Sequence, residues 1–337
     1  MRANITLLMP CYNGLKYIDQ AINSVLVQSM TDWELLVSDD GSKDGTIDYL
    51  QSLPDKRIKI FVQPRNLGIF GNLNFLFARA NCAITQILCQ DDFLIGTDAL
   101  QNILTTWNHL PAEVAFLRCN YGCDGTSRQM RLEQEVLPTI IEPKDSDLYF
   151  FLFGCIPGNL SNVSVRTQIV AKMGWYRTDL PYAGDFEFWS RTGRTWPWAL
   201  SRSNIVQVRR HAEQASRTLN KRGELLPQLR LVIQGLIEGL RAQGHALSYL
   251  RWFASINYVT QQVHGGIMEA LRGGGWGYLR QVNQLFFGTE CFLGRGPTWL
   301  VYIISAGGKF LGPTMTKWLI GQHKRLLRLS GVQSKSL

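Results

Sequence analysis

The chain has 337 residues, of which 45% are hydrophobic and 18% charged, and its formal net charge is +9. This composition excludes a disordered chain, and the length predicts one large domain or one domain with an appendage. The 7 cysteines are an odd number spread along the chain, which excludes a simple disulfide framework and favours a reducing compartment. No secretory signal is expected, because Pro10 and Asn13 interrupt the first apolar segment.

The positive charge is concentrated in the C-terminal part of the sequence. Residues 201–337 hold 18 Lys and Arg against 5 Asp and Glu, a net charge of +13, whereas residues 1–200 hold 17 against 21, a net charge of −4. A basic segment beside an acidic body indicates binding to nucleic acid, to a membrane surface or to a phosphorylated partner. Charge alone does not distinguish these three kinds of partner.

Apolar strands and amphipathic helices alternate through the first 120 residues. The hydrophobic spacing predicts strands at Ile5–Met9, Trp33–Ser38, Ile58–Val62, Ile84–Cys89 and Glu113–Cys119, with helices at 14–29, Thr46–Leu53, 68–80 and 97–109. This alternation predicts an α/β fold with a mostly parallel sheet flanked by helices. Ligands of such sheets bind beyond the carboxyl ends of the strands, so the polar segments that follow the strands are candidate site residues.

The chain is irregular from residue 120 to about 224 and helical after that. The irregular part predicts a hairpin or loop at Gly122–Gln134, helices at Asp145–Phe153 and 184–193, and strands at Asn162–Arg166, Pro197–Leu200 and Ile205–Arg209. Apolar residues at helical spacing begin at Leu225. We therefore expect one domain at 1–216 and a basic helical region at 217–337.

The segment Trp299–Ile320 is the best candidate for contact with a membrane. Its glycines, proline and lysines exclude a single spanning helix, which needs about 20 mostly apolar residues. Its aromatic and basic residues suit a helix that lies in the headgroup layer. A solvated helical cap explains the same pattern, so both interpretations stay open. Nucleic-acid binding is not expected, because the region contains no recognisable module.

Two acidic clusters follow predicted strands. The first, Asp39–Thr46 (DDGSKDGT), combines carboxylates that accept hydrogen bonds from a base or a ribose with glycines that permit a sharp turn. An ordinary polar loop has the same composition. The second, Gln90–Asp92 (QDD), places adjacent carboxylates at a strand end, where Mg²⁺ or Mn²⁺ would compensate their charge. The acidic first turn of a helix is the alternative there.

Two further candidates lie near the end of the irregular part. Asp185 begins a predicted helix among aromatic residues, which would raise the pKa of its carboxyl group and suit it as a general base. Glu187 is two residues further on and points in another direction on a helix, so we expect a structural or acceptor-contacting role for it. His211 follows a predicted strand and can supply a neutral imidazole to the same metal as Asp92.

In order and spacing, these motifs resemble those of the family 2 glycosyltransferases of the GT-A fold. The matching segments are MPCYNG at Met9–Gly14, DDGSKDGT at Asp39–Thr46, NLG at Asn66–Gly68, QDD at Gln90–Asp92, and Gly184-Asp185 ahead of Trp189. The resemblance covers residues 1 to about 216 and implies a GT-A-type sheet flanked by helices, followed by the α-helical C-terminal region. It implies metal-dependent, inverting transfer of a sugar from a nucleotide-sugar donor to an acceptor hydroxyl.

The resemblance also implies roles for single residues. Tyr12 would contact the nucleobase, Asp40 would hydrogen-bond the base, and Asp91 would bind the ribose or the sugar. Asp185 would deprotonate the acceptor hydroxyl, while Asp92 and His211 would hold a Mn²⁺ or Mg²⁺ ion that bridges the diphosphate. The residues implied to bind the nucleotide sugar are Pro10, Tyr12, Asn13, Asp40, Gly41, Ser42, Asn66, Gly68 and Asp91.

The chain departs from the family pattern in two places. Many relatives carry Glu-Asp where it has Gly184-Asp185, and it lacks the Gln-x-x-Arg-Trp motif of processive relatives, which favours a single-addition enzyme. A UDP, GDP or dTDP sugar fits as donor and a saccharide or lipid-linked saccharide as acceptor. We expect a cytoplasmic protein, with the inner face of the membrane as a second location. Two alternatives stay open: a sugar nucleotidyltransferase, and a catalytically inactive membrane-surface protein that binds sugar or nucleotide.

Overall fold

A sheet of nine strands forms the centre of the first part of the computed structural model, which describes residues 3–122, 133, 135–209, 211, 223–287, 289–305 and 312–329. The strands are β1 (Ile5–Cys11), β2 (Trp33–Asp39), β3 (Ile58–Val62), β4 (Ile84–Ile87), β5 (Phe93–Leu94), β6 (Phe116–Gly122), β7 (Ile140–Ile141), β8 (Val163–Arg166) and β9 (Trp198–Gln207). Every residue of β1 and β2 is buried, as expected for strands covered by helices on both faces.

The strand order brings several carboxyl ends to one edge of the sheet. The order is β3-β2-β1-β4-β8-β6-β9-β5, and β7 pairs with β9. β1 to β4 are mutually parallel, and β8 runs antiparallel between β4 and β6, so β6 and its parallel neighbour β9 run in the direction of β4. The α/β prediction is confirmed. The sheet is mixed, because the short strands β5, β7 and β8 are antiparallel to their neighbours.

The described helices lie between these strands and, from Leu225 onward, after the last strand. They are α1 (Leu15–Leu26), α2 (Thr46–Gln51), α3 (Gly68–Phe77), α4 (Ala99–His109), α5 (Pro143–Phe153), α6 (Thr167–Lys172), α7 (Gly184–Gly193), α8 (Leu225–Ala242), α9 (Leu247–Ala254), α10 (Thr260–Glu269), α11 (Gly277–Leu285), α12 (Arg295–Ile304) and α13 (Gly312–Leu329). α1 buries Ile18, Ala21, Ile22 and Val25, at the spacing of one helix face, in the same core cluster as the side chains of β1. This packing fixes the turn between β1 and α1.

The chain divides into two compact units, Met1–Ser146 with Cys155–His211, and Asp147–Gly154 with Ala212–Leu337. The sequence pattern did not indicate that Asp147–Gly154 groups with the second unit. The boundary at 216 stays a prediction, because residues 212–222 lie outside the described part. The hairpin or loop predicted at Gly122–Gln134 also lies outside it, apart from its first residue and Glu133.

The second unit is built from helices around the C-terminal half of α5. The hydroxyl of Tyr258 donates to the carbonyl of Phe151 at 2.6 Å, and the rings of Phe151 and Phe253 lie 5.1 Å apart. α8 buries an apolar face that runs from Leu226 to Leu240. Among the described helices, none is long and apolar enough to cross a bilayer.

A buried histidine pair makes the stability of the second unit depend on pH. His245 Nε2 lies 3.0 Å from His323 Nδ1. Burial, followed by the charge of His323, lowers the pKa of His245 to about 4. Because the unfolded chain then binds more protons, this contribution to stability is complete above pH ~6.5 and is lost as the pH falls toward 4. We expect a loss of roughly 3 kcal/mol over this range in denaturant unfolding, absent in His245→Gln. His264→Gln, an exposed histidine, is the control, and an unchanged pH dependence in His245→Gln contradicts the assignment.

Candidate active site

Hydrogen bonds join the loops that follow β1 and β2. The N–H of Asn13 donates to Ser42 Oγ at 2.8 Å, and Asn13 Oδ1 accepts from the N–H of Lys43 at 2.9 Å. Asn13 has a φ of 49°, in the left-handed region that asparagine tolerates better than most residues. The preceding Tyr12 ring is 51% exposed and free to stack on a ligand, whereas Pro10 is buried within β1.

Two further carboxylates of the DDGSKDGT segment hold this loop and the neighbouring loop after β1 in place. Asp39 Oδ2 accepts from the N–H groups of Gly41 and Ser42 at 3.0 and 2.9 Å. Asp44 Oδ2 accepts from the N–H of Leu15 at 3.0 Å. Gly41 has a φ of 87°, which a residue with a side chain rarely adopts. Asp39 and Asp44 therefore have loop-building roles.

Asp40 connects the β2 loop to the start of α3. Its two carboxylate oxygens accept from the N–H groups of Leu67 and Gly68 at 2.7 and 2.9 Å, and its carbonyl accepts from Asn66 Nδ2 at 3.2 Å. Asp40 is 3% exposed, and this burial raises the pKa of its carboxyl group. The structure therefore brings Asp40, Asn66 and Gly68 together. It also gives Asp40 a structural task, the positioning of the NLG turn.

Gln90 is a site residue that sequence reasoning left without a role. Its side-chain amide pairs with the backbone of Tyr12: the N–H of Tyr12 donates to Gln90 Oε1, and Gln90 Nε2 donates to the Tyr12 carbonyl, both at 2.9 Å. A Cβ on Gly14 would lie 2.1 Å from Gln90 Oε1, so any larger residue there would displace the Gln90 amide from Tyr12. Gln90 thus fixes the backbone beneath the exposed tyrosine ring.

Replacing Gln90 with alanine is expected to lower the free energy of unfolding by about 1–2 kcal/mol, since two hydrogen bonds worth about 0.5–1.5 kcal/mol each are lost. Urea unfolding measures this change. Gln101→Ala removes an exposed amide that bonds within α4, so we expect a change of about 0.5 kcal/mol or less from this control. Equal changes in the two variants would contradict a special role for Gln90.

Asp92 is the most deeply buried carboxylate of the QDD segment, with 2% exposure. Its Oδ2 accepts from the hydroxyl of Ser161 at 2.6 Å, and its Oδ1 accepts from the N–H of Arg209 at 3.1 Å. Burial, followed by the negative charge of Asp91, raises the pKa of Asp92 to about 7. A nearby cation would favour its ionised form.

Asp91 faces His211, although the two lie far apart along the chain. His211 Nε2 is 3.0 Å from Asp91 Oδ2, and the His211 ring lies 4.5 Å from the ring of Tyr17. Arg209 donates from its guanidinium to the Asp91 carbonyl at 2.7 Å. The predicted position of His211 beside the acidic pair is therefore what the structure shows, with Asp91 as its direct neighbour.

The donor set of this cluster fits a divalent cation. Oxygens of Asp91 and Asp92, together with the Cys89 sulfur, lie within 4.8 Å of one another. His211 Nδ1 is buried and has no hydrogen-bond partner among the described residues. Carboxylates and imidazole are established ligands of Mn²⁺, and carboxylates of Mg²⁺. Asp91, Asp92 and His211 are accordingly the residues that would hold the metal.

Asp185 begins α7 and is hydrogen-bonded at both oxygens. Oδ1 accepts from the N–H of Phe186 at 2.7 Å, and Oδ2 accepts from the thiol of Cys155 at 3.7 Å. Burial raises the pKa of Asp185, as a general base near neutral pH requires. Glu187 instead pairs with Arg191 at 2.7 Å, which matches a structural role.

Tyr176 packs against α7, the helix that begins at Gly184 and Asp185, through the ring of Phe188. Its hydroxyl is buried and has no hydrogen-bond partner among the described residues. Burial raises the pKa of Tyr176, and the charges of Asp185, Cys155 and Cys89 add to this shift. The charges of Asp185 and Cys89 thus both contribute to the raised pKa of the Tyr176 phenol.

Phe70 explains why this chain has glycine before the base. A Cβ on Gly184 would lie 2.6 Å from the ring of Phe70. The Phe70 ring in turn stacks on Tyr176 at 5.5 Å. The departure from the Glu-Asp pattern is therefore matched by local packing that leaves no room for a side chain at residue 184.

Several partners of the predicted site residues escaped the sequence analysis. Gln90 and Arg209 lie within two residues of predicted site residues in the sequence, so the sequence could have indicated them as site residues. Ser161 and Cys155 lie in the irregular part, where no periodicity or motif distinguished them. Their contacts with Asp92 and Asp185 become evident only in the folded chain.

Comparisons with known proteins agree with this geometry. Residues 6–164 match the family model Glycosyl transferase family 2. An uncharacterized glycosyltransferase of Haemophilus influenzae is 24% identical over 236 residues, which are 64% of this chain and 68% of that protein. A second one from the same organism is 35% identical over 133 residues, 38% of this chain and 51% of that protein. Residues 6–164, just under half of the chain, therefore form a glycosyltransferase domain of family 2.

One relative has a more specific name, and solved structures share the fold. The Escherichia coli UDP-Glc:alpha-D-GlcNAc-diphosphoundecaprenol beta-1,3-glucosyltransferase WfgD is 32% identical over 117 residues, 35% of this chain and 45% of that protein. S. aureus TarS 1-349 in complex with UDP-GlcNAc has a TM-score of 0.58 at 14% identity, covering 96% of this chain and 92% of TarS 1-349. The mannosyltransferase PcManGT from Pyrobaculum calidifontis in complex with GDP-Man and Mn²⁺ has a TM-score of 0.50 at 17% identity, covering 71% and 65%. These likenesses support the GT-A-like fold.

Proposed function

We propose that this glycosyltransferase moves a sugar from a nucleoside-diphosphate sugar to an acceptor hydroxyl, with inversion and with a divalent cation. The observation that carries the proposal is the cluster of Asp91, Asp92 and His211, which Gln90 joins to the backbone of the exposed Tyr12. Asp185, a partly buried carboxylate that is hydrogen-bonded at both oxygens, is the proposed base. The solved structures of TarS and PcManGT are complexes with UDP-GlcNAc and with GDP-Man, which supports a donor of this class.

In this proposal, each site residue has a defined task. The Tyr12 ring stacks on the nucleobase, and Asp40 and the NLG turn line the base-binding loop. Asp185 accepts the proton of the acceptor hydroxyl as its oxygen attacks the anomeric carbon, and the bond from this carbon to the diphosphate breaks on the opposite side. Asp91, Asp92 and His211 would hold a Mn²⁺ or Mg²⁺ ion, which would supply positive charge to stabilise the leaving nucleoside diphosphate.

A lipid-linked saccharide is the proposed acceptor, at the inner face of the membrane. The name of WfgD specifies a diphosphoundecaprenol acceptor for that relative. On α12 of this chain, Leu300, Ile303 and Ile304 are exposed by 58%, 73% and 66%. This apolar face lies in the part of the chain with a net charge of +13, as for a helix that contacts an anionic membrane.

Binding to phosphatidylglycerol vesicles tests the membrane contact. We expect the double variant Ile303→Glu, Ile304→Glu to bind them at least about tenfold more weakly, because two exposed apolar side chains that would enter the bilayer become charged. Leu231→Glu, at an exposed position of α8, is the matched control. Equal vesicle binding by all three proteins would exclude the α12 face.

A donor screen tests the enzyme class. The full chain is incubated with UDP, GDP and dTDP sugars and Mn²⁺ or Mg²⁺, and the released product is identified. Release of nucleoside diphosphate supports a glycosyltransferase. In a parallel reaction that contains nucleoside triphosphates and sugar phosphates instead, release of pyrophosphate identifies the nucleotidyltransferase alternative. Binding of a donor without any turnover identifies the inactive binding protein.

A further inference from the structure

Cys89 lies in the same turn as the two carboxylates of the QDD segment. The N–H of Asp92 donates to the Cys89 carbonyl at 3.1 Å, so residues 89–92 form a hydrogen-bonded turn. The Cys89 sulfur and an oxygen each of Asp91 and Asp92 lie within 4.8 Å of one another. Ser161 fixes this arrangement, because its hydroxyl accepts from the N–H of Cys89 at 2.9 Å and donates to Asp92 at 2.6 Å.

Sulfur changes the metal preference of a site of this kind. Mg²⁺ takes oxygen ligands in octahedral geometry, whereas thiolates favour Zn²⁺ and other softer cations. The two carboxylates and one thiol that lie together here are therefore a mixed donor set. Such a set favours Co²⁺ and Zn²⁺ over Mg²⁺, in the general order of affinities for nitrogen, oxygen and sulfur ligands.

The surroundings of Cys89 differ from those of a cysteine that only fills a core. Cys89 is half-buried beside two carboxylates, whereas Cys11 is buried among the apolar side chains of the β-sheet core. His211, which faces Asp91, has a buried Nδ1 without a hydrogen-bond partner among the described residues.

We propose that Cys89 is a sulfur ligand of the cation at this site, and that the site prefers Co²⁺ or Zn²⁺ to Mg²⁺. This inference rests on the metal site of the proposed function. On binding, the thiol gives its proton to the solvent and Cys89 coordinates as a thiolate, so one proton is released for each cation bound through sulfur. The Asp91 and Asp92 carboxylates supply the oxygen ligands, and no oxidant or reductant is involved.

Titration of the metal-free protein with Co²⁺ alone tests the ligand without a transfer assay. The wild-type protein is expected to show a sulfur-to-cobalt charge-transfer band in the near ultraviolet that saturates at one Co²⁺ per chain. Cys89→Ser is expected to lose this band and to bind Co²⁺ at least about tenfold more weakly, while its affinity for Mg²⁺ changes by less than about threefold. Cys89→Asp is expected to bind Mg²⁺ more tightly relative to Co²⁺ than the wild type does.

Cys155→Ser and Cys291→Ser are the controls, since they remove one thiol near Asp185 and one in the second unit, and both are expected to keep the band. A band that persists in Cys89→Ser overturns the proposal. Bound Co²⁺ without a band, or no stoichiometric binding by equilibrium dialysis, also overturns it. If the band is as expected and no donor is turned over, the ligand assignment stands and the proposed transfer reaction fails.

Discussion

Asp185→Asn is expected to lower kcat by about 10²- to 10⁴-fold, because the acceptor hydroxyl loses its general base. The amide keeps the shape of the carboxylate and can still accept from the N–H of Phe186, so we expect the fold and donor binding to remain. Steady-state rates of nucleoside diphosphate release give kcat, and calorimetric titration with the donor gives the dissociation constant.

The pH dependence of kcat and of stability gives a second test of Asp185 as the general base. Burial raises the pKa of Asp185, so the acid limb of the rate profile should lie above the ordinary range of an aspartate, with activity lost as the pH falls through it. A raised pKa also means that the folded chain binds more protons, so the stability contribution of Asp185 declines as the pH rises through this range. Both effects should be absent in Asp185→Asn.

Glu187→Gln is the matched control for this variant. Glu187 lies one helical turn from Arg191 and pairs with it, so its loss should reduce stability more than kcat. If Asp185→Asn retained full kcat while Glu187→Gln lost it, the base would be Glu187. If both retained it, the base would lie elsewhere.

Asp92→Asn is expected to reduce metal-activated turnover by at least about 100-fold, because loss of about 3 kcal/mol of charge stabilisation in the transition state corresponds to that factor. Asparagine can accept from the N–H of Arg209 and donate to the Ser161 oxygen, so the variant should stay folded. Rates measured against Mn²⁺ concentration, with Mn²⁺ affinity from calorimetry, show whether the loss lies in metal binding.

Asp91→Asn tests whether the other carboxylate of the pair also holds the metal. Asp91 faces His211, so we expect this variant to weaken Mn²⁺ binding as well, whereas Asp48→Asn on the exposed face of α2 should change neither quantity. Removal of metal with EDTA should abolish turnover of the wild type, and added Mn²⁺ should restore it. Transfer that survives both EDTA and Asp92→Asn would sink the metal assignment.

The local parts of this site were predictable from the sequence. The apolar segments and the helical spacing placed β1 to β4 and α1 to within a few residues, because a strand buried on both faces reads as a continuous apolar run and a helix face as a spacing of three to four residues. Parallel strands put their carboxyl ends at one edge, so the motifs after β1, β2 and β4 had to be neighbours there. The antiparallel β8 was not predictable in this way, since its short apolar run carries no information about its direction.

The sequence by itself thus determined the fold class, the edge of the sheet that holds the site, and the basic character of the C-terminal part. Only the tertiary structure decided which side chains meet: His211 reaches Asp91 across 120 residues of chain, Ser161 reaches Asp92 across 69, and Cys155 reaches Asp185 across 30. Periodicity reports which face of an element is buried, not which partner covers it. Which residues become partners follows from the packing of whole elements. That packing also leaves an apolar face of α12 exposed within the basic part of the chain.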